Sequence, residues 1–202
     1  MTVERGPEIG LETQRFLLAT LPPGQSTEPF RRWAADPRIM GPLNLPARVL
    51  SEQQAAAYYA GFDNRLKYLF GAFAKSSGRQ IGFWNVEVHP VHDTASLHVV
   101  IGERSYWGKG VPMELGVALI DWLFHRRGVE KASLSVVETN ARVRRICEVI
   151  GWPLEAVLQG ELKAADGTGR LGECRFGLVK AAWPDVRRRA LASYQRRKEQ
   201  GH

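Results

Sequence analysis

Hydrophobic and polar positions along this chain alternate between a two-residue and a three-to-four-residue period, and each change of period marks an element. Runs rich in β-branched and aromatic residues predict strands over 11–18, 67–74, 80–89, 95–101, 132–137, 156–162 and 173–179. Apolar residues at helical spacing predict helices over 26–35, 51–62, 113–125, 141–150 and 185–198. Turn chemistry separates these elements. Pro22-Pro23-Gly24 ends the first strand, and Asp36-Pro37 and Gly41-Pro42 break the chain after the first helix. Ser51 with Gln54 three residues on is a capping-box pattern. Ser76-Ser77-Gly78, the stretch 89–93 and Asp166-Gly167-Thr168-Gly169 read as hairpin turns. Gly151 stops the helix before it, and Trp183-Pro184 opens the last one. There is no internal repeat and no low-complexity segment.

One junction stands apart. The strand over 95–101 hands over to the helix over 113–125 through Gly102-Glu103-Arg104-Ser105-Tyr106-Trp107-Gly108-Lys109-Gly110-Val111-Pro112. Gly108 and Gly110 let a ligand approach the backbone. The first amides of the helix have no intrahelical partner, and the dipole adds positive charge there. Such a junction receives phosphate groups. A nucleotide-triphosphate loop fits poorly. Five residues separate Gly102 from Gly108, and Gly110 replaces the Ser/Thr that would hold magnesium. A dinucleotide fingerprint also fits poorly, because Met113 takes the place of its third glycine, although Glu138 can imitate its ribose-binding acid. A tight turn that binds nothing is the remaining bland alternative.

Tyr-Trp-Gly-Lys-Gly followed by an amphipathic helix resembles the pyrophosphate loop of the GNAT superfamily of acetyl-CoA-dependent N-acetyltransferases. The wording is most similar to the Rim-type branch of ribosomal-protein alanine N-acetyltransferases and to some polyamine acetyltransferases. A second signature agrees. Glu138-Thr139-Asn140, then a helix ending Ile150-Gly151-Trp152, resembles the family's strand-Asn-helix-Gly-Phe element. The resemblance covers residues 11–183, and its specific part is 95–152. It implies an α/β fold: a mixed, mostly antiparallel twisted sheet of about seven strands, flanked by helices and splayed between the fourth and fifth. It implies acetyl-CoA as co-substrate, held by Val99, Val100, Ile101, Trp107, Gly108, Lys109, Gly110, Val111, Pro112 and Asn140. The first helical pair would cover the acceptor end, so Trp33, Tyr58 and Tyr59 are candidate pocket residues. The chain departs from the family pattern at Pro112, which lacks an amide, at Val143, and at Cys147, where many members place a Tyr that protonates the leaving thiolate.

The implied chemistry is attack of a neutral primary amine on a thioester. It needs a proton acceptor and a donor to the developing oxyanion. Alternation over 95–101 puts Ser96, His98 and Val100 on one face. His98 is the candidate base, since imidazole can take a proton near neutral pH. Glu87 on the neighbouring strand is a weaker candidate, and Cys147 is a candidate acid. Each also has a structural reading: a packed histidine, a surface carboxylate, a small core thiol. His89, His92 and Asp93 read as surface turn residues, and no metal is expected.

Charge and composition narrow the class. The chain has 202 residues, a net charge of +7, 20 glycines and two cysteines. One domain is expected over residues 1–183, followed by a basic helix or tail over 184–202 that carries +4 of the charge. A mildly basic body suits an anionic cofactor. The tail can touch nucleic acid or the ribosome, which leaves open a catalytically weak CoA-binding or ribosome-associated module. Glu4, Glu8 and Glu12 argue against a signal peptide, and Glu114 and Asp121 interrupt the best membrane-span candidate. Cys147 and Cys174 make no disulfide framework, so a cytoplasmic compartment is expected. The partners expected are acetyl-CoA and an amine, with no membrane, in a monomer or homodimer. The acceptor, a protein N-terminus, a polyamine or another small amine, is left open.

Overall fold

The computed structural model describes residues 4–199. An eight-stranded sheet runs in the order β1-β2-β3-β4-β5-β6-β8-β7. All neighbouring pairs are antiparallel except β5 and β6. The strands are β1 (Gly10–Glu12), β2 (Phe16–Thr20), β3 (Lys67–Ala74), β4 (Gln80–His89), β5 (Thr94–Ile101), β6 (Lys131–Val137), β7 (Leu154–Lys163) and β8 (Arg170–Val179). The helices are α1 (Glu28–Ala34), α2 (Pro37–Met40), α3 (Glu52–Ala60), α4 (Val111–His125), α5 (Ala141–Ile150) and α6 (Trp183–Glu199). Among the described residues, no helix is long and apolar enough to cross a membrane.

The expected strand over 11–18 is two strands. Thr13, Gln14 and Arg15 turn the chain, with the Thr13 amide donating to the Phe16 carbonyl and the Phe16 amide donating to the Thr13 hydroxyl. This hairpin makes the count eight, so the splay expected between the fourth and fifth strands lies between β5 and β6. The break after α1 holds a further short helix, α2. Asp36 caps it by accepting from the Arg38 amide, and one 3₁₀ turn, Gly41–Leu43, follows. α3 has the expected capping box: Gln54 N–H donates to the Ser51 hydroxyl at 3.1 Å and Ser51 N–H to the Gln54 side chain at 2.9 Å. It stops at Ala60, two residues early, because Phe62 turns into the core.

Cross-strand register sorts the side chains onto two faces. Phe70, Trp84, Val86, Leu97, Ala132 and Leu178 pack under α4, with α6 joining the same cluster. Val136, Cys174 and Phe176 continue that face under α5. The opposite face carries Leu69, Phe73 and Phe83, covered by Phe30 of α1 and Tyr59 of α3. β3 and β4 are therefore apolar on both sides, as strands covered on both faces must be. β7 is an edge, and its residues are only half-buried or exposed.

The last helix opens at the boundary expected at residue 183. α6 starts at Trp183 and buries Trp183, Val186, Ala190 and Ser193 against α4 and α5. Trp183 donates to Asp121 at 2.7 Å, and its ring meets Phe124 edge-on. The segment is a wall of the domain with a basic outer face. Of the expected two-part division, residues 1–3 and 200–202 lie outside the described residues.

Candidate active site

β5 and β6 pair only from Thr94–Lys131 to Leu97–Leu134. Beyond that point the ladder stops, and the backbone of Val99 to Ile101 loses its β6 partner. A cavity of about 630 Å³ occupies the splay. It runs through the sheet. Met113, Gly116 and Ile146 line it on one face, and Tyr58, Phe83 and His98 on the other.

The Gly-rich junction sits at the end of β5. A 3₁₀ turn, Arg104–Tyr106, leads to Trp107, whose indole N–H donates back to the Ile101 carbonyl at 2.7 Å. Gly108 and Gly110 take φ of +80° and +71°, values that L side chains resist. Gly110 is the N-cap of the fifteen-residue α4. Pro112 has no amide, and the amides of Met113 and Glu114 return to the Gly110 carbonyl. The Lys109 amide already donates to the Tyr106 carbonyl at 3.3 Å, so the donors that face an anion along the helix axis are the Gly110 and Val111 amides. Lys109 is exposed there, and the Arg142 guanidinium of α5 lies 4.9 Å from the Trp107 ring.

This junction is held from behind by residues far away in sequence. Glu114 is buried and accepts from the Arg15 amide (2.8 Å), the Thr13 hydroxyl (2.7 Å) and the Arg15 guanidinium (2.8 Å). Burial alone would raise its carboxyl, but these three donors hold it below the ordinary carboxylate value. Arg15 also donates to the Lys109 carbonyl, and its guanidinium lies over the Tyr194 ring of α6. At the front, Trp33 is 2% exposed and lies flat against Gly102, where an added Cβ would meet its ring at 2.0 Å. Trp33 N–H and Arg32 both donate to Glu103. Gly102→Ala is therefore expected to cost about 1–3 kcal/mol by overpacking. Thermal melts check this, and adding Trp33→Leu should return part of the loss because the two positions share one space.

Asn140 caps α5, accepting from the Val143 amide at 3.3 Å, and its side-chain amide donates to the Pro42 carbonyl at 3.1 Å. One acceptor site and one N–H remain on that amide. On the far side of the same 3₁₀ turn, Asn44 donates to the Lys163 carbonyl and accepts from the Ala165 amide, both at 2.8 Å. Residues 40–45 thus form a strap pinned from both sides, and all but Gly41 line the cavity. Glu138 accepts from the Gly172 amide at 2.6 Å, so its carboxylate is engaged with β8.

The sequence profile of the acetyltransferase (GNAT) domain matches residues 15–152. The chain belongs to the GNAT acetyltransferase family. It is an N-acetyltransferase by that membership, and GNAT enzymes use acetyl-CoA. Solved structures share the fold. A GCN5-related N-acetyltransferase from Brucella melitensis is 13% identical, with TM-score 0.76 over 93% of this chain and 86% of that one. Spermidine N-acetyltransferase from Vibrio cholerae, solved with CoA and spermine, is 20% identical, with TM-score 0.73 over 84% and 98%. A candidate ribosomal-protein-serine acetyltransferase from Vibrio cholerae is 20% identical, with TM-score 0.64 over 89% and 99%. No curated protein sequence is significantly similar.

Against this GNAT frame the sequence-derived residues separate. Val99, Val100, Pro112, Asn140, His98 and Cys147 surround one cavity. Trp107 to Val111 continue directly from Pro112, and Ile101 anchors Trp107. His98 is exposed to the cavity and stands opposite Asn85 of β4. Cys147 packs among Val136, Cys174 and Phe176, and burial pushes its thiol up to about 12. Protonating a departing thiolate from such a group is uphill, since an ordinary thiol titrates near ~8.5. Glu87 is outside the cavity wall and pairs with Lys67 at 3.4 Å. Of the aromatic candidates, Trp33 and Tyr58 line the cavity, whereas Tyr59 turns into the core beside Leu21 and Leu69. Sequence reasoning passed over Arg15, Glu114, Arg142, Asn85, Phe83 and the strap. Only the pairing of distant segments reveals them.

Proposed function

We propose that this GNAT protein transfers the acetyl group of acetyl-CoA to a primary amine. The carrying observation is the cavity through the splayed sheet, with a helix N-terminus and cations at one end and His98 on the acceptor face. The residues present suit CoA. The Gly110 and Val111 amides, with the Lys109 and Arg142 side chains, would hold its phosphates, and the spare groups of Asn140 would meet the amides of its arm. The cofactor supplies an electrophilic acetyl thioester. His98 takes the proton that the attacking amine must lose. The unladdered backbone of β5 beyond Leu97 offers amides to the oxygen that gains charge. Tyr58 flanks this site. Burial raises its hydroxyl above the ordinary value, and hydrogen bonding with Asn85 opposes the rise. The phenol thus stays protonated, as a donor.

Cys147 and Glu87 have no part in this scheme, for the reasons of packing and placement above. The alternative of a binding module built on a basic tail loses support. α6 is packed into the domain, and Arg187 and Arg188 pair with Asp121 and Asp185. Its half-buried Tyr194 also reaches the phosphate loop. Free, buried Cys147 and Cys174 support the proposed reducing cytoplasmic setting. The Rim-type branch is supported by the Trp107–Gly110 wording.

Free thiol release from acetyl-CoA over an amine panel tests the reading. No release with any amine, from protein that binds CoA, would overturn it. The loop has its own test. Gly110→Asn and Gly110→Asp both place a residue type that tolerates positive φ, so their comparison isolates charge. Gly110→Asp should bind CoA about tenfold or more weakly than Gly110→Asn, about 1.4 kcal/mol or more. Equal calorimetric affinities would move the phosphates away from this loop.

A further inference from the structure

The acceptor half of the cavity is unusual in its chemistry. Four aromatic rings build its wall. Phe30 and Tyr58 are parallel within 3° at 4.9 Å between centroids. Phe83 meets Phe30 edge-on at 5.7 Å and lies within 23° of parallel to Trp33 at 6.3 Å. Phe30 and Phe83 are half-buried, and Tyr58 remains 38% exposed at the rim. Met40 and Leu43 of the strap line the same cavity.

Carboxylates are scarce here. Among the described residues that line the cavity, Glu173 is the acidic one, and it is paired with Arg175 at 2.9 Å. Glu103, beside Trp33, is already bound by Arg32 and the indole N–H. A polyamine entering this space would bring a second ammonium with no carboxylate left to meet it, and a buried unpaired charge is costly. Ring faces attract an ammonium, but weakly beside an ion pair. An apolar group, by contrast, loses water against the rings and gains contact area. The strap is pinned by Asn140 and Asn44, so this surface is formed in advance, which lowers the cost of binding.

Resting on the acetyl-transfer reading above, we propose that the acceptor is a primary amine flanked by an aromatic or bulky aliphatic group, and that Tyr58 and Phe83 set this preference. The amine points to His98 and Asn85, and the apolar substituent lies along the ring wall.

The test titrates CoA-saturated protein calorimetrically with phenethylamine, spermidine and ethanolamine. Thiol release from acetyl-CoA is measured with the same amines. Phenethylamine should bind about tenfold or more tightly than either of the others. Tyr58→Ala should cut that preference. Tyr58→Glu, at a rim position of α3 that is 38% exposed, should reverse it in favour of spermidine. Spermidine binding as well as or better than phenethylamine in the parent protein would overturn the proposal, as would binding of none of the three. If phenethylamine is preferred but no thiol is released, acetyl transfer fails while the acceptor-side assignment stands. If thiol is released with spermidine preferred, the assignment fails and acetyl transfer stands.

Discussion

Ending the chain after Trp183 is expected to abolish cooperative folding. On charge alone, residues 184–202 read as an attachment. In the structure α6 lays Val186 and Ala190, 3% and 2% exposed, onto α4 and α5. Fully burying an aliphatic side chain is worth about 1.5–3 kcal/mol. Removing α6 also uncovers Trp183 and the buried faces of the helices beneath it. The loss is on the order of 5 kcal/mol or more, comparable with the ~5–15 kcal/mol total stability of a domain. The ring of Tyr194, 5.1 Å from the Arg15 guanidinium, goes as well, so the back of the phosphate loop is stripped. Circular dichroism melts and urea titrations measure the effect. A truncated chain that melts within a few degrees of the parent and keeps its CoA affinity would return α6 to the status of a tail.

The second large effect concerns turnover. His98→Ala should lower it by about 10²–10⁴-fold, the usual range for general-base help, while CoA affinity stays within about twofold, since the ring lies on the acceptor face. His98→Gln keeps a polar side chain of similar reach but cannot take the proton, so it should fail equally. Full turnover in both variants would make His98 a packing residue and leave proton removal to water. A parallel fall of turnover and CoA affinity would mean that the ring holds β5 in place.

What was readable before the structure was local. The capping box of α3 joins residues three apart, and Gly151 ends α5 by sending amides back to Glu148 and Cys147. The glycines of the phosphate loop declare their backbone by lacking a Cβ, and both positive φ values followed. Period-two runs placed β3 and β4 to the residue, because the alternation is a property of the strand itself. The division of 11–18 was local too, but its hydrophobic period bridged the turn and hid it.

The rest depends on which segments meet. Glu114 read as a polar interruption in an apolar helix. It is instead a buried clamp because Arg15, 99 residues away, arrives beside it. Gly102 mattered in the sequence only for its distance from Gly108, yet it must lack a Cβ because Trp33 of α1 covers it. His98 was the candidate base and Cys147 the candidate acid. Both line the cavity, but packing buried Cys147 among Val136, Cys174 and Phe176 and left His98 exposed. Alternation assigns a side chain to a face but cannot say what lies above that face. The aromatic acceptor wall has the same origin, since Phe30, Trp33, Tyr58 and Phe83 come from two helices and a strand. Their meeting is set by how the helices cross the sheet, a matter of tertiary burial that no local period encodes.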